Sequence, residues 1–364
     1  MNAVPKTLPA RYYTDPALFR RELESFFFGD WICAGRADAI PKAGDYFIRE
    51  IAGESIIVLR TDSGSIAAFY NVCRHRGTRL CSAAEGAFPG RIQCPYHGWT
   101  YALDGRLLGA PHMDAASFSR ADYPLHALHA DLWDGHIFLN ALPHPQPLSR
   151  QLADLPARFA PWRMESLGLH QRIVYDVRAN WKLIVANYNE CLHCPLLHPA
   201  LNRLTDYMGS ENIAPQPTYI GGSMGFRAGA ETMSMDGKRR RDYLPGLGEK
   251  ERTQVCYYVV YPNLLLSLHP DYMMIHTLWP RAVDRTEIIC EWYFDPAELA
   301  KPDFVASDAI EFWDRTNRED WRIVELSQAG IQSRAYTPGP YSGREELLYA
   351  FDQIVLARDA VPPK

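Results

Sequence analysis

The chain has 364 residues, 47% hydrophobic and 22% charged, proportions that leave room for two packed domains and exclude a disordered or fibrous class. A formal net charge of −5 argues against a nucleic-acid footprint, and the one basic run, Lys238-Arg239-Arg240-Arg241, is short, precedes Asp242 and reads as a solvated loop. The first eleven residues hold no apolar leader, and the most apolar stretch, 255–268, is broken by Pro262 and Asn263, so no export or membrane segment is expected.

From the N-terminus, residues 14–31 place apolar side chains at helical spacing behind an Asp15-Pro16 start signal and predict an amphipathic helix. Between Ile32 and about Pro147 the pattern changes to short runs, 45–49, 55–59, 66–70 and 136–139, which read as strands. Residues 62–65 and 103–106 read as hairpin turns. Within this stretch lie Asn71-Val72-Cys73-Arg74-His75-Arg76-Gly77 and Gln93-Cys94-Pro95-Tyr96-His97-Gly98-Trp99, with 18 residues between His75 and Cys94. One Cys and one His from each of two loops is the ligand set of a Rieske-type [2Fe-2S] cluster, two thiolates on one iron and two imidazoles on the other. Imidazole donates less charge than thiolate, which raises the potential to roughly −150 to +300 mV from about −400 mV for the all-Cys plant-type cluster. Gly77 and Gly98 suit loops tight enough to bring backbone N–H groups towards the sulfurs.

Structural zinc is the alternative for these four residues, but zinc modules pair Cys with Cys and His with His. Cys81 reads as a bystander, and Cys33, Cys256 and Cys290, in apolar runs, as buried thiols. Eight cysteines without a leader point to a reducing compartment, hence the cytoplasm.

The proline-rich segment 142–147 marks a boundary. Beyond it 172–178 alternates, 180–200 looks helical, 253–278 and 286–294 suit a second antiparallel sheet, and 303–330 returns to helical spacing, so the second half reads as α+β. The expected division is an N-terminal helical segment over 1–35, a cluster domain over 36–147 and a second domain over 148–364.

Asn187-Tyr188-Asn189-Glu190-Cys191-Leu192-His193-Cys194-Pro195-Leu196-Leu197-His198 sets two histidines five apart with a carboxylate three before the first. On an undisturbed helix they would point about 140° apart, so sharing a metal requires a break, and Pro195 is placed to kink the chain there. Two His and one carboxylate leave three positions open on an octahedral metal, the facial triad of mononuclear non-haem Fe(II) oxygenases. The carboxylate is either Glu190 itself or an acid of 318–328, with Asp320 preferred over its neighbour Glu319; in the second case Glu190 holds the Nδ1–H of His193. Core packing of the His pair, and redox or zinc chemistry at Cys191-x-x-Cys194, are the alternatives.

With these motifs in this order, the chain resembles the α subunits of Rieske non-haem iron oxygenases, the ring-hydroxylating oxygenase family, from about Ala10 to Leu356. The resemblance implies an antiparallel β Rieske domain and a helix-grip (START-like) catalytic domain, with the N-terminal segment packed on the latter. It implies a [2Fe-2S] cluster on Cys73, His75, Cys94 and His97, a mononuclear Fe(II) on His193, His198 and Asp320, and Asn187 hydrogen-bonding near the iron. It further implies a homotrimer in which electrons pass from His97 through Glu190 of a neighbouring subunit to His193. Glu190 stands where many relatives carry the shorter Asp, and Ala186 where an acid is common. No G-x-G-x-x-G loop is present, so electrons come from a separate flavin/[2Fe-2S] reductase or ferredoxin, and O2 and a small organic molecule are the substrates.

The wording of 187–195 and of 231–237 is similar to the branch that oxidises glycine betaine, choline, carnitine and related quaternary amines. Tyr257, Tyr261, Trp279 and Trp292 are candidates for an aromatic cage around a methylammonium group, each ring contributing about 0.5–2 kcal/mol. Hydroxylation of an aromatic acid or hydrocarbon is the alternative reaction. An electron-transfer Rieske protein without oxygenase chemistry is the alternative of another class.

Overall fold

Branched and aromatic residues in short alternating runs favour strands, and ten of them lie in one compact unit, Phe27–Arg150, of the computed structural model, which describes residues 4–114 and 116–360. They are β1 (Ile32–Arg36), β2 (Asp45–Ile51), β3 (Glu54–Arg60), β4 (Ile66–Tyr70), β5 (Glu85–Ala87), β6 (Ile92–Gln93), β7 (Thr100–Tyr101), β8 (Leu107–Gly109), β9 (Ala127–Trp133) and β10 (His136–Asn140). Seven form an antiparallel sheet in the order β1-β10-β9-β4-β3-β2-β5, and β6-β7-β8 form a small second one. The hairpin after β7 depends on Gly105: its φ is +86°, and a Cβ there would lie 2.5 Å from the Phe69 ring. Ile57, Leu59, Phe69, Ile92, Trp99 and Tyr101 pack into one core beneath the two cysteine loops.

The N-terminal expectations shift. Pro16 takes the first turn of a helix, Pro16–Glu22, capped by Asp15 through the N–H groups of Ala17 and Leu18, where its missing N–H costs nothing. The turns then widen to a π-helix over Leu23–Phe28. Met1–Phe26 groups with Gln151–Lys364, whereas residues 27–35 belong to the first unit, because β1 pairs with β10.

His136 on β10 is fully buried, and that burial, with Arg36 nearby, drives its pKa down to about 3. In the unfolded chain the value returns to about 6.5. Between those pH values the unfolded chain binds a proton that the folded one does not, so stability is full above about pH 6.5 and falls with pH, by about 2 kcal/mol at pH 5. His136→Gln should therefore flatten the fall in melting temperature between pH 7 and 5, and an unchanged slope would show that another group sets it.

The other unit is built on β11 (Gly168–Val177), β12 (Glu211–Asn212), β13 (Tyr219–Gly225), β14 (Gln254–Val260), β15 (Leu264–Leu268), β16 (Met273–Ala282) and β17 (Arg285–Phe294), antiparallel in the order β11-β17-β16-β15-β14-β13-β12. The helix Ser307–Ile331 lies on it. Its buried residues, among them Phe312, Trp313, Thr316, Asn317, Trp321, Val324 and Gln328, recur every three or four positions, the stripe of a helix with one face against a sheet. Tyr175 on β11 donates to Asp314 (2.7 Å) and Asn317 to the Cys290 sulfur (3.7 Å).

Arg241 departs from the solvated-loop expectation: its side chain is wholly buried between Asp271 (2.9 Å) and Asp308 (2.6 Å), while Lys238 and Arg240 remain outside. Asp271 also accepts from Thr232, so the segment 231–237 is anchored in the core. Among the described residues no helix is long and apolar enough to cross a membrane.

Candidate metal centres

The two cysteine loops share one backbone design. Cys73 N–H donates to the Thr78 carbonyl (2.8 Å) and its own carbonyl accepts from Gly77 (3.1 Å); Cys94 repeats this with Trp99 (2.8 Å) and Gly98 (3.2 Å). Both glycines have positive φ, +75° and +69°, which a side chain would oppose. Cys73 and Cys94 are buried, whereas His75 and His97 are partly exposed with ring centroids 4.7 Å apart. Thiolates inside and imidazoles towards the surface is the polarity a two-thiolate, two-imidazole cluster needs. The buried Nδ1 of His75 has no hydrogen-bond partner among the described residues, which suits a metal-ligating nitrogen. Trp99 stacks on the His75 ring (4.9 Å, 9° between planes), and the Tyr101 hydroxyl lies 3.3 Å from the Cys73 sulfur, placed to donate to a thiolate. Cys81, half-buried, has its thiol pushed up to about 11 by burial and remains protonated, as a bystander would.

The second centre is assembled from three elements. Asn180 caps the helix Trp181–Tyr188 by accepting from Lys182 N–H, and the buried Lys182 ammonium pairs with Glu22 (2.6 Å). This helix stops at Tyr188. His193 precedes a short turn of helix, Cys194–Leu197, and His198 stands between that turn and the next helix, Pro199–Leu204. The expected single helix kinked at Pro195 is thus three pieces. Pro195 and Pro199 each sit in a first turn, where proline is tolerated, and the interruptions rotate His198 beside His193, ring centroids 5.2 Å apart. Cys191 and Cys194 are joined as a disulfide, Cα atoms 5.0 Å apart, closing the turn that carries His193.

Asp320 comes from the inward face of the helix Ser307–Ile331. One ligand atom each from His193, His198 and Asp320 lies within 4.8 Å of the others. Asp320 Oδ1 is 2.9 Å from His198 Nε2, 3.4 Å from His193 Nε2 and 3.1 Å from the Asn187 amide that donates to it. Glu190 Oε1 meets His193 Nδ1 at 2.5 Å while its other oxygen accepts from Leu192 N–H, and Glu319 meets His198 Nδ1 at 2.7 Å. Each imidazole is therefore held at Nδ1 by its own carboxylate, leaving both Nε2 atoms turned to Asp320, the orientation a metal held by Nε2 requires. Burial disfavours charge on His193, but Asp320 and Glu190 outweigh it and push its pKa up to about 10. The donor set fits a facial triad.

The triad opens into a cavity enclosing about 850 Å³, open solvent at its mouth included, whose walls include Tyr188, Tyr257, Trp313, Met224 and Leu347, with Tyr207, Asn212 and Arg344 among its other lining residues. Tyr188 donates to the Leu266 carbonyl (2.8 Å), and Trp313 to the Tyr272 hydroxyl (2.7 Å). Tyr257 stands between them, ring centroids 6.0 and 6.3 Å away, its buried hydroxyl without a partner among the described residues.

Residues 164–359 match the ring-hydroxylating α subunit catalytic domain, and residues 30–126 match the Rieske [2Fe-2S] domain. The chain belongs to the Rieske ring-hydroxylating oxygenase α subunits. As a member it is an oxidoreductase with a Rieske cluster and a mononuclear iron, the terminal oxygenase component of a system that includes a reductase. It is 31% identical to the glycine betaine monooxygenase oxygenase subunit of Pseudomonas aeruginosa, over 92% of this chain and 85% of that one. It is 32% identical to the carnitine monooxygenase oxygenase subunit of Escherichia coli K12, over 91% and 85%. The crystal structure of the quaternary ammonium Rieske monooxygenase CntA with L-carnitine superposes with a TM-score of 0.81 at 28% identity, covering 98% of this chain and 96% of that one.

Of the aromatics singled out in this Rieske oxygenase, only Tyr257 lines the cavity. Trp279 is on the opposite face of the sheet: the ladder Tyr257–Ser267–Met274–Trp292 defines Tyr257's face, and Trp279 is an odd number of residues from Met274. Trp292 shares the face but sits three strands away, roughly 14 Å. Tyr261 lies beyond the end of β14 and stacks on Phe351 (5.2 Å). Tyr188, Trp313 and Arg344 were not singled out. Tyr188, the last residue of the helix Trp181–Tyr188 and two before Glu190, carried a usable signal; the other two had none.

Proposed function

We propose that this Rieske oxygenase removes an N-methyl group from a quaternary ammonium compound of the betaine type. The observation that carries the reading is the trio of rings, Tyr188, Tyr257 and Trp313, in the cavity onto which His193, His198 and Asp320 open. Aromatic faces attract a methylated ammonium without requiring a hydrogen bond that it cannot make. The glycine betaine and carnitine monooxygenase subunits among the relatives support the same class.

His193, His198 and Asp320 would hold the ferrous ion, and Cys73, His75, Cys94 and His97 would hold the cluster. When bound, these groups would supply electrons and activate O2. Asn187 orients Asp320 through Oδ1, and Glu190 and Glu319 keep both imidazoles aligned. The rings hold a methyl group towards the triad and exclude water. One oxygen atom enters an N-methyl C–H bond, and the resulting hydroxymethylammonium cation breaks its C–N bond to release formaldehyde, a tertiary amine and a proton. The other oxygen leaves as water, with two electrons from the reductase and two protons. In a homotrimer, Glu190 also bridges to His97 of a neighbouring subunit. A cytoplasmic location fits the demand for a nicotinamide-driven reductase, although the Cys191–Cys194 disulfide departs from the all-reduced thiols expected there.

Oxygen uptake and formaldehyde release by the iron-loaded chain with a surrogate reductase and NADH, across glycine betaine, carnitine, benzoate and biphenyl, test the reading. Formaldehyde with a quaternary amine is expected. Turnover confined to benzoate or biphenyl would replace it with ring hydroxylation.

A further inference from the structure

The cavity is electrically two-ended. Its acids, Glu190 and Asp320, are occupied by His193 and His198. Among the described residues that line it, Arg344 is the one lysine or arginine. It precedes the fourteen-residue helix Glu346–Asp359. One guanidinium nitrogen donates to the Met208 carbonyl (3.0 Å), which ties the group to the segment bearing Tyr207, Ser210 and Asn212. The nearby acids are engaged elsewhere: Glu345 accepts from Ser342 N–H (2.7 Å) and Glu346 from the Asn212 amide (2.6 Å). The exposed guanidinium forms no ion pair with a carboxylate of the described residues and keeps donors for a ligand.

We propose that Arg344 selects zwitterionic substrates, its guanidinium taking the carboxylate of a molecule whose trimethylammonium group lies among Tyr188, Tyr257 and Trp313. The proposal rests on the quaternary ammonium reading and extends it. A cation with an alcohol tail gains the ring contacts alone, whereas a carboxylate adds charge-assisted hydrogen bonds, and only a guanidinium presents the planar fork that meets both oxygens. Arg344 is thus a specificity residue that acts on binding and leaves the reacting bonds untouched.

The test compares wild type, Arg344→Gln and Arg344→Lys as iron-loaded oxygenase with reductase, on glycine betaine, carnitine and the uncarboxylated choline. Arg344→Gln should raise KM for a carboxylated substrate by about 10- to 100-fold, with kcat, iron content and the visible Rieske spectrum little changed and the KM for choline unmoved. Arg344→Lys should restore part of the loss as a point charge. An equal KM shift for choline and the carboxylated substrates, or none for either, would overturn the assignment while leaving the quaternary ammonium reading in place. If wild type oxidises none of the three, that reading and this one fall together.

Discussion

Asp320→Ala is expected to lower iron from about three to about two per chain and to abolish turnover, with the visible spectrum of the Rieske centre unaltered. Asp320 supplies the one negative charge among the three proposed ligands and is also where Asn187 and both Nε2 atoms converge. Residues that merely orient a ligand cost about 10- to 100-fold in metal affinity or activity when removed, so loss of the carboxylate itself should exceed that range. Iron analysis, the EPR signal of the reduced cluster and formaldehyde release, measured on one preparation, check the three parts together. Three irons with full activity in Asp320→Ala would mean that another residue supplies the third ligand. About two irons in wild type after iron loading would point to an electron-transfer protein without oxygenase chemistry.

Glu190→Gln is the second large effect. The substitution keeps side-chain length and an oxygen for the Leu192 N–H but removes the charge facing His193 Nδ1 at 2.5 Å. The iron should stay bound at saturating ferrous ion, because all three proposed ligands remain. Turnover should fall by about 10- to 100-fold. If Glu190 bridges to a neighbouring subunit's His97, the fall lies in electron delivery: after full reduction and mixing with oxygen and substrate, the visible Rieske band should recover correspondingly slowly. Recovery at the wild-type rate would confine Glu190 to orienting His193. Glu319→Gln is the matched control, since Glu319 makes the same Nδ1 contact to His198 (2.7 Å) without a proposed bridging role. It should leave recovery of the band fast.

Much of the fold was legible. The runs that became β2, β3, β4 and β10, and the long runs of the second sheet, announce themselves through alternation and bounding turns, and the helix of 307–331 through its spacing. In contrast, β1, β9 and the short strands β5 to β8 and β12 were not assigned. Neither was the strand β13, since Gly221 and Gly222 erase the branched signature; they are needed because a Cβ at Gly221 would fall 2.3 Å from the Tyr257 carbonyl. Nor was the helix Glu346–Asp359, whose buried residues include the acid Asp352. Pro195 signals an interruption from either side, and which kind depends on where the helix before it stops.

The sequence by itself determined the chemistry. Cys73 with His75, Cys94 with His97, and His193 with His198 are pairs separated by at most five residues, and turns of that length are governed by local backbone preferences that glycine and proline announce. Only the tertiary structure decided which carboxylates meet which imidazoles and what walls the cavity. Asp320 reaches His198 across 122 residues of chain, and Glu319, its neighbour, takes the other side of the same ring. Tyr257 on β14 and Trp279 on β16 are both sheet aromatics, yet they face opposite ways. Arg344 gains its proposed role from the carbonyl and the cavity it is set beside. Contacts between residues far apart in sequence depend on sheet register and helix placement, which are set by the packing of the whole unit and leave no mark on the few residues that finally touch.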